Sequence, residues 1–267
     1  MIQSFALITG ASEGLGKFLA IECAERKMNL VLVALPGTNL QGLCRFLSNR
    51  YNIETCPFEM DLSEEANCYL LKKMLEEKKI RISVLINNAG MGGNFYFEQK
   101  DADYYSRLIA LNIITPTLLC KLFLDDLKSQ QPSYILNVSS LAGIFHLPQK
   151  QVYGGTKSYL IAFSNSLRSE LKKDNIHVAV LCPGGMNTYW RILVENRIKG
   201  TWISRQSVME PSEVAEIGIR KMLEKKALII PGTINHLFIF FNKLIPAFIK
   251  EKLILLQMAR TGRRLAS

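Results

Sequence analysis

The chain has 267 residues, 48% of them hydrophobic and 21% charged. That balance excludes a disordered protein, and the length suits one large α/β domain able to bury a sizeable core. The net charge of +10 favours an anionic substrate, a membrane face or nucleic acid, but no aromatic-basic interleaving marks a nucleic-acid module, so no nucleic-acid partner is expected.

Six cysteines fall at positions 23, 44, 56, 68, 120 and 182, with no C-x-x-C pair. They read as reduced core thiols of a cytoplasmic protein. His146, His177 and His236 form no ligand constellation, and no metal is expected. No secretory leader is expected, because the apolar run Phe5-Ala6-Leu7-Ile8 is too short and ends at Thr9-Gly10.

In chain order, the pattern predicts a strand over 4–9 and a helix over 14–27. Residues 29–35 are nearly all apolar, as a parallel strand covered on both faces should be. A helix over 39–50 and a strand over 53–58 follow. Ser63 reads as an N-cap, with Glu64 and Glu65 in the first turn of its helix and Lys78 and Lys79 in the last. A fourth strand is predicted over 83–87, then a long helix over 102–128, bent near Pro116. A fifth strand covers 134–139, a long helix 152–173 and a sixth strand 176–182. A helix over 212–225 and a short strand over 227–230 complete the rhythm. Alternation of this kind predicts a single Rossmann-like domain over 1–232, a doubly wound parallel sheet flanked by helices. Ligands of such sheets bind beyond the carboxyl ends of the strands.

Gly10-Ala11-Ser12-Glu13-Gly14-Leu15-Gly16 follows the first strand and opens the first helix. Glycines let backbone approach a pyrophosphate, and the helix start offers free N–H groups. The spacing is wider than G-x-G-x-x-G, so the turn alone is weak evidence. Tyr153 and Lys157, four apart on one helix, share a face. A nearby ammonium favours the phenolate and lowers the tyrosine pKa. Ser140 lies just past strand five, thirteen residues before Tyr153. Its hydroxyl can bond a substrate oxygen; Ser139 is the neighbouring alternative, less favoured on spacing.

Together these motifs resemble the short-chain dehydrogenases. T-G-x-x-x-G-x-G from Thr9, Asn87-Asn88-Ala89-Gly90, Asn112 in L-N-I, Tyr153-x-x-x-Lys157, Pro183-Gly184 with Thr188, and Asp61-Leu62 after strand three all fall in the family's order over about 1–230. The resemblance implies hydride transfer between a nicotinamide and a carbonyl or alcohol carbon. Tyr153 would move the proton, and Lys157 would also bond the nicotinamide ribose. Asn112 would hold a water that links Lys157 to solvent, and Thr188 would contact the carboxamide. Asn88, Ala89 and Gly90 would line the riboses, while Asn87 either joins them or bridges strands. Asp61 either accepts from the adenine amino group or shapes a turn. A homodimer or homotetramer is expected. Residues 185–210 would form a substrate lid. Its Tyr189, Trp190, Ile192, Leu193, Trp202 and Ile203 either favour a small hydrophobic carbonyl or alcohol substrate, within a class spanning hydrophobic ketones and 3-oxoacyl thioesters, or pack on one another.

The cofactor markers disagree. No acid stands at the end of strand two, where NAD relatives carry one, and Thr38 and Asn39 can bond a phosphate; Glu13 would repel it. NADP(H) is favoured over NAD(H). A competing reading is a catalytically silent dinucleotide-binding protein of the same fold. Residues 233–267 form an apolar, then basic, extension: 234–249 are strongly apolar, and 243–267 carry six basic residues against one acid. It packs over the pocket, contacts a subunit, or makes weak contact with a membrane surface.

Overall fold

A computed structural model describes residues 3–145, 147–186 and 208–244. Seven parallel strands form one sheet in the order β3-β2-β1-β4-β5-β6-β7. They are β1 (Gln3–Thr9), β2 (Asn29–Ala34), β3 (Thr55–Glu59), β4 (Ile80–Asn87), β5 (Ser133–Val138), β6 (Ile176–Leu181) and β7 (Leu228–Ile229). The helices are α1 (Gly14–Glu25), α2 (Leu40–Tyr51), α3 (Glu65–Glu77), α4 (Ala102–Ile109), α5 (Thr115–Leu122), α6 (Leu124–Ser129), α7 (Gln151–Leu171), α8 (Pro211–Leu223) and α9 (Thr233–Leu244).

Successive strand residues point to opposite faces, so each apolar strand feeds two cores. Ile8, Leu32 and Ile86 pack with α1, α2 and α8 through residues such as Leu19, Leu47 and Ile219. Leu7, Val31 and Leu85 pack on the other face with α3, α5 and α7, through Leu71, Leu119 and Leu171. Each fully buried side chain of this size stabilises the fold by about 1.5–3 kcal/mol, which is why both faces of the sheet must be covered.

Strands β2 and β3 lie on one side of β1, and β4 lies on the other. The chain reverses its direction of travel across the sheet at β1, which opens a crevice beyond Thr9 and Asn87. A buried amide ladder ties the two strands beyond this point. Asn87 Nδ2 donates to Asn137 Oδ1 at 2.8 Å, and Asn137 Nδ2 donates to Ser164 Oγ at 2.9 Å. Asn87 is thus the bridge between β4 and β5, the second of its two predicted roles.

Two local expectations are corrected. Ser63 is not an N-cap: α3 starts at Glu65 with Glu64 as its cap. The Ser63 hydroxyl donates instead to Asp61 Oδ1 at 2.7 Å, and its N–H donates to the same oxygen. Its helix ends at Glu77, before both predicted lysines. The predicted helix over 102–128 is three helices, with a π turn at Ala110–Ile114 between α4 and α5 and a break at Phe123. The distortion precedes Pro116, which sits in the first turn of α5. Pro116 has no N–H to give the Asn112 carbonyl, the partner a regular helix would use.

Candidate active site

The turn after β1 is built around Thr9 and two glycines. Gly10 holds φ at +64°, a left-handed value that favours glycine. A Cβ on Gly16 would lie 2.6 Å from Asn88 Nδ2, so α1 can close on the loop after β4 only with glycine there. Thr9 is buried; its Oγ1 accepts from the N–H groups of Asn88 and Ala89, each at 3.0 Å. Asn88 Nδ2 returns a bond to Thr9 O at 2.9 Å and another to Gly10 O at 3.1 Å. The two motifs therefore hold each other in place.

They border a cleft of about 450 Å3. Ser12, Glu13, Gly14 and Leu15 line it at the start of α1, and Gly90 and Met91 line it after β4. Thr38, Asp61 and Leu62 line its far half, where Arg107 and Leu111 also face it. The Thr38 hydroxyl donates to Leu35 O at 2.9 Å, so only its lone pairs remain for a ligand. One Asp61 oxygen shapes the Ser63 turn, the second of its two predicted roles, and the residue also lines the cleft.

Ser140, Tyr153 and Lys157 are not among the residues lining this cleft; they stand beyond Gly90, which lines it. Tyr153 and Lys157 occupy the first two turns of α7, and Ser140 follows β5. Burial pushes the Tyr153 phenol up from its ordinary value, while the neighbouring Ser140 hydroxyl pulls the other way. The Ser139 hydroxyl is spent on Lys157 O at 2.7 Å, which leaves Ser140 as the serine beside the phenol. Ser140 Oγ also accepts from Ala142 N at 3.1 Å. Lys157 is 4% exposed, and its Nζ donates to Val138 O at 2.9 Å. Burial lowers its pKa to about 8, against a smaller opposing effect of Cys182. The ammonium lies 5.8 Å from the Tyr153 ring centre. The expected depression of the phenol by Lys157 is thus not the ruling effect in the chain alone, because burial dominates both groups.

Asn112 is buried, and its side chain is used on backbone. Oδ1 accepts from Met91 N at 3.0 Å, and Nδ2 donates to Met91 O at 2.9 Å and to Thr156 Oγ1 at 3.1 Å. Thr156 in turn donates to Tyr153 O at 2.8 Å. Asn112 therefore locks the loop after Gly90 to the helix that carries Tyr153. A Cβ on Gly90 would fall 3.3 Å from Lys157 Nζ, so this glycine faces the site. Pro183 follows β6 and takes the N–H of Leu141 on its carbonyl at 2.9 Å, next to Gly184. Thr188 and most of the predicted lid, with its two tryptophans, lie outside the described residues, as do His146 and residues 245–267. The flanks of the lid meet in a bridge between Met186 and Met209. No group of three or more metal-ligating side chains occurs among the described residues.

Three site residues escaped the sequence reading. A Cβ on Gly92 would lie 2.7 Å from Tyr153 Cε2, so this glycine makes room for the ring. Lys150 Nζ stands 5.0 Å from the centre of the same ring, and burial lowers its pKa. Arg107 faces the cleft from α4. The M-G-G run after Gly90 was the available signal for Gly92; nothing in local spacing marks the other two. Gly92→Ala should push the Tyr153 ring aside and lower turnover by about 10- to 100-fold, since small displacements of a reacting group are costly. Dinucleotide affinity should hold, and steady-state kinetics paired with a binding titration separates the two.

A glycine turn at a helix start, at the switch point of a parallel sheet and beside a serine, a tyrosine and a buried lysine, defines the class of dinucleotide-dependent dehydrogenases. The family model for short chain dehydrogenases matches residues 4–197, and the chain belongs to that family. It is 30% identical over 186 residues to the very-long-chain 3-oxoacyl-CoA reductase of Rattus norvegicus, a match covering 68% of this chain and 59% of the relative. The chain thus spans about three fifths of that relative's length. Among solved structures it is similar to the bulky-bulky ketone specific alcohol dehydrogenase from Comamonas testosteroni, at 27% identity and a TM-score of 0.75, covering 98% of this chain and 93% of the other. A short-chain dehydrogenase from Sphingobium yanoikuyae in complex with NADPH matches at 26% identity and a TM-score of 0.75, covering 98% and 95%.

Proposed function

We propose that the chain is a nicotinamide-dependent oxidoreductase that reduces a hydrophobic ketone or a 3-oxoacyl thioester. The observation that carries this reading is that Ser140, Tyr153 and Lys157 lie together beyond Gly90, the residue through which they adjoin the glycine-lined cleft. The cleft suits a dinucleotide: backbone approaches closely at Gly10 and Gly16, and the first turn of α1 faces it. A bound nicotinamide dinucleotide supplies the hydride. Ser12, Glu13, Gly14 and Leu15 would hold the pyrophosphate at the start of α1, and Asn88, Ala89, Gly90, Pro183, Gly184 and Thr188 the nicotinamide half. Asp61, Leu62 and Thr38 would take the adenosine half.

Ser140 orients the substrate oxygen by a hydrogen bond, and Tyr153 gives it the proton. The buried Lys157 ammonium holds the charge that makes phenol ionisation possible. Asn112 fixes the loop and helix on either side of them, and its backbone carbonyl, which Pro116 leaves without its helical donor, is the group we assign to hold a water. Support for the substrate class comes from the relatives, whose names specify 3-oxoacyl-CoA and bulky ketones.

NADP(H) is the proposed cofactor, because Leu35 and Thr38, not an acid, face the cleft at the end of β2. Glu13→Lys should raise the affinity for NADPH relative to NADH about tenfold. Parallel titrations with both cofactors check this, and an unchanged ratio would remove Glu13 from the phosphate site. We place the protein in the cytoplasm, a reading supported by its free cysteines, five of them buried; a homodimer or homotetramer is proposed on the family resemblance alone. Among the described residues no helix is long and apolar enough to cross a membrane; weak surface contact through the basic extension is testable by vesicle sedimentation.

The reading is tested by following NADPH absorbance with a panel of bulky ketones and long-chain 3-oxoacyl thioesters. Consumption with either class is expected. Tight NADPH binding without turnover across the whole panel would leave a silent dinucleotide-binding protein.

A further inference from the structure

We infer that Arg107 is a cofactor-positioning residue whose guanidinium covers the adenine face of the dinucleotide, without reading the 2′-phosphate. The inference rests on the dinucleotide reading above. Gly90, with Lys157 behind it, marks the reacting end of the cleft, so the second base must lie at the opposite end, past the glycine turn. That end is walled by Val33 and Ala34 of β2 and by Leu35 just after it on one side, and by Asp61, Leu62 and Leu111 on the other. Arg107 projects there from α4 and is the only cation among the described lining residues.

Its placement is not explained by the fold. Arg107 Nη2 lies 3.7 Å from Asp61 Oδ2, and the two side chains are 65% and 32% exposed. A loose pair at that exposure contributes almost nothing to stability. Asp61 itself is fixed, because its other oxygen accepts two bonds from Ser63. Oδ2 is therefore aimed at the end of the cleft, where an adenine amino group can take the place that Arg107 now occupies. Released from Asp61, the planar guanidinium can lie on the ring, a geometry arginine favours over lysine. Leu62, buried beneath the cleft, supplies apolar surface for the purine.

The test is a fluorescence titration of the full chain with NADPH and NADH, for the wild type, Arg107→Ala and Arg107→Lys. Because both cofactors carry the same adenine, Arg107→Ala should weaken both by one common factor, about fivefold. Arg107→Lys keeps the charge beside Asp61 but loses the plane, and should fall closer to alanine than to wild type. Melting temperatures without ligand should match across the three proteins, which separates a binding role from a structural one. Loss confined to NADPH would make Arg107 a phosphate reader and overturn the inference. Unchanged affinities for both cofactors would also overturn it. A wild-type chain that binds neither cofactor would defeat the dinucleotide reading, and the inference with it.

Discussion

Tyr153→Phe is expected to lower turnover by about 100- to 10,000-fold, the usual worth of a positioned proton donor. The substitution removes one oxygen and keeps the ring. The ring contacts therefore persist: Gly92 still faces it, and Lys150 still stands over it. The hydrogen bonds that position this turn of α7 run through the backbone of Tyr153 and the side chain of Thr156, and phenylalanine leaves them intact. Affinity for NADPH should stay within about twofold, a change of under half a kcal/mol. Single-turnover kinetics with excess enzyme, beside a binding titration, reads both quantities. Turnover within a few-fold of wild type would remove Tyr153 from the proton-transfer role. Ser140→Ala, by contrast, leaves the phenol but takes away the hydroxyl that opposes the effect of burial on it.

The sheet was legible because each of its central strands is a short, nearly unbroken apolar run, a pattern only a strand buried on both faces requires. The crevice was legible for a related reason: Thr9-Gly10 and Asn87-Asn88 each end such a run, and β1 and β4 are neighbours. Local spacing also placed Tyr153 and Lys157 on one helix face. It failed where a side chain answers to a distant part of the chain. Ser63 looked like a helix cap, but Asp61 captures its hydroxyl two residues away. The bend assigned to Pro116 belongs to the π turn around Asn112, whose amide is drawn to Met91 and Thr156 across the site. The acidity of Tyr153 was argued from its lysine neighbour alone. Burial, a property of the assembled core, governs both groups. Gly92, Lys150 and Arg107 had no local signal as strong as the family motifs, because what matters about each is the side chain it meets or the cleft it faces.

Lys157→Met should give a chain that is more stable near neutral pH than the wild type and has lost turnover. Burial lowers the Lys157 pKa to about 8 from an ordinary 10.5. At 1.36 kcal/mol per unit, holding the ammonium in the cofactor-free fold costs about 3 kcal/mol. Below about pH 8 the lysine is charged in both the folded and unfolded chains, and the full cost is present. Between about pH 8 and 10.5 the unfolded chain keeps the proton and the folded chain has released it. Stability therefore rises with pH through that window, and the cost is gone above it. Methionine fills a similar volume without charge. It also removes the bond to Val138 O, and a buried carbonyl left without that donor costs about 1–2 kcal/mol. The net gain near neutral pH is then about 1–2 kcal/mol, and it should shrink to nothing or reverse by about pH 10. Urea unfolding of both proteins at the two pH values measures it. A wild type as stable as Lys157→Met near neutral pH would show that the fold does not carry this ammonium under strain. The expected result would mean that the chain accepts a less stable fold in order to hold a cation beside Tyr153.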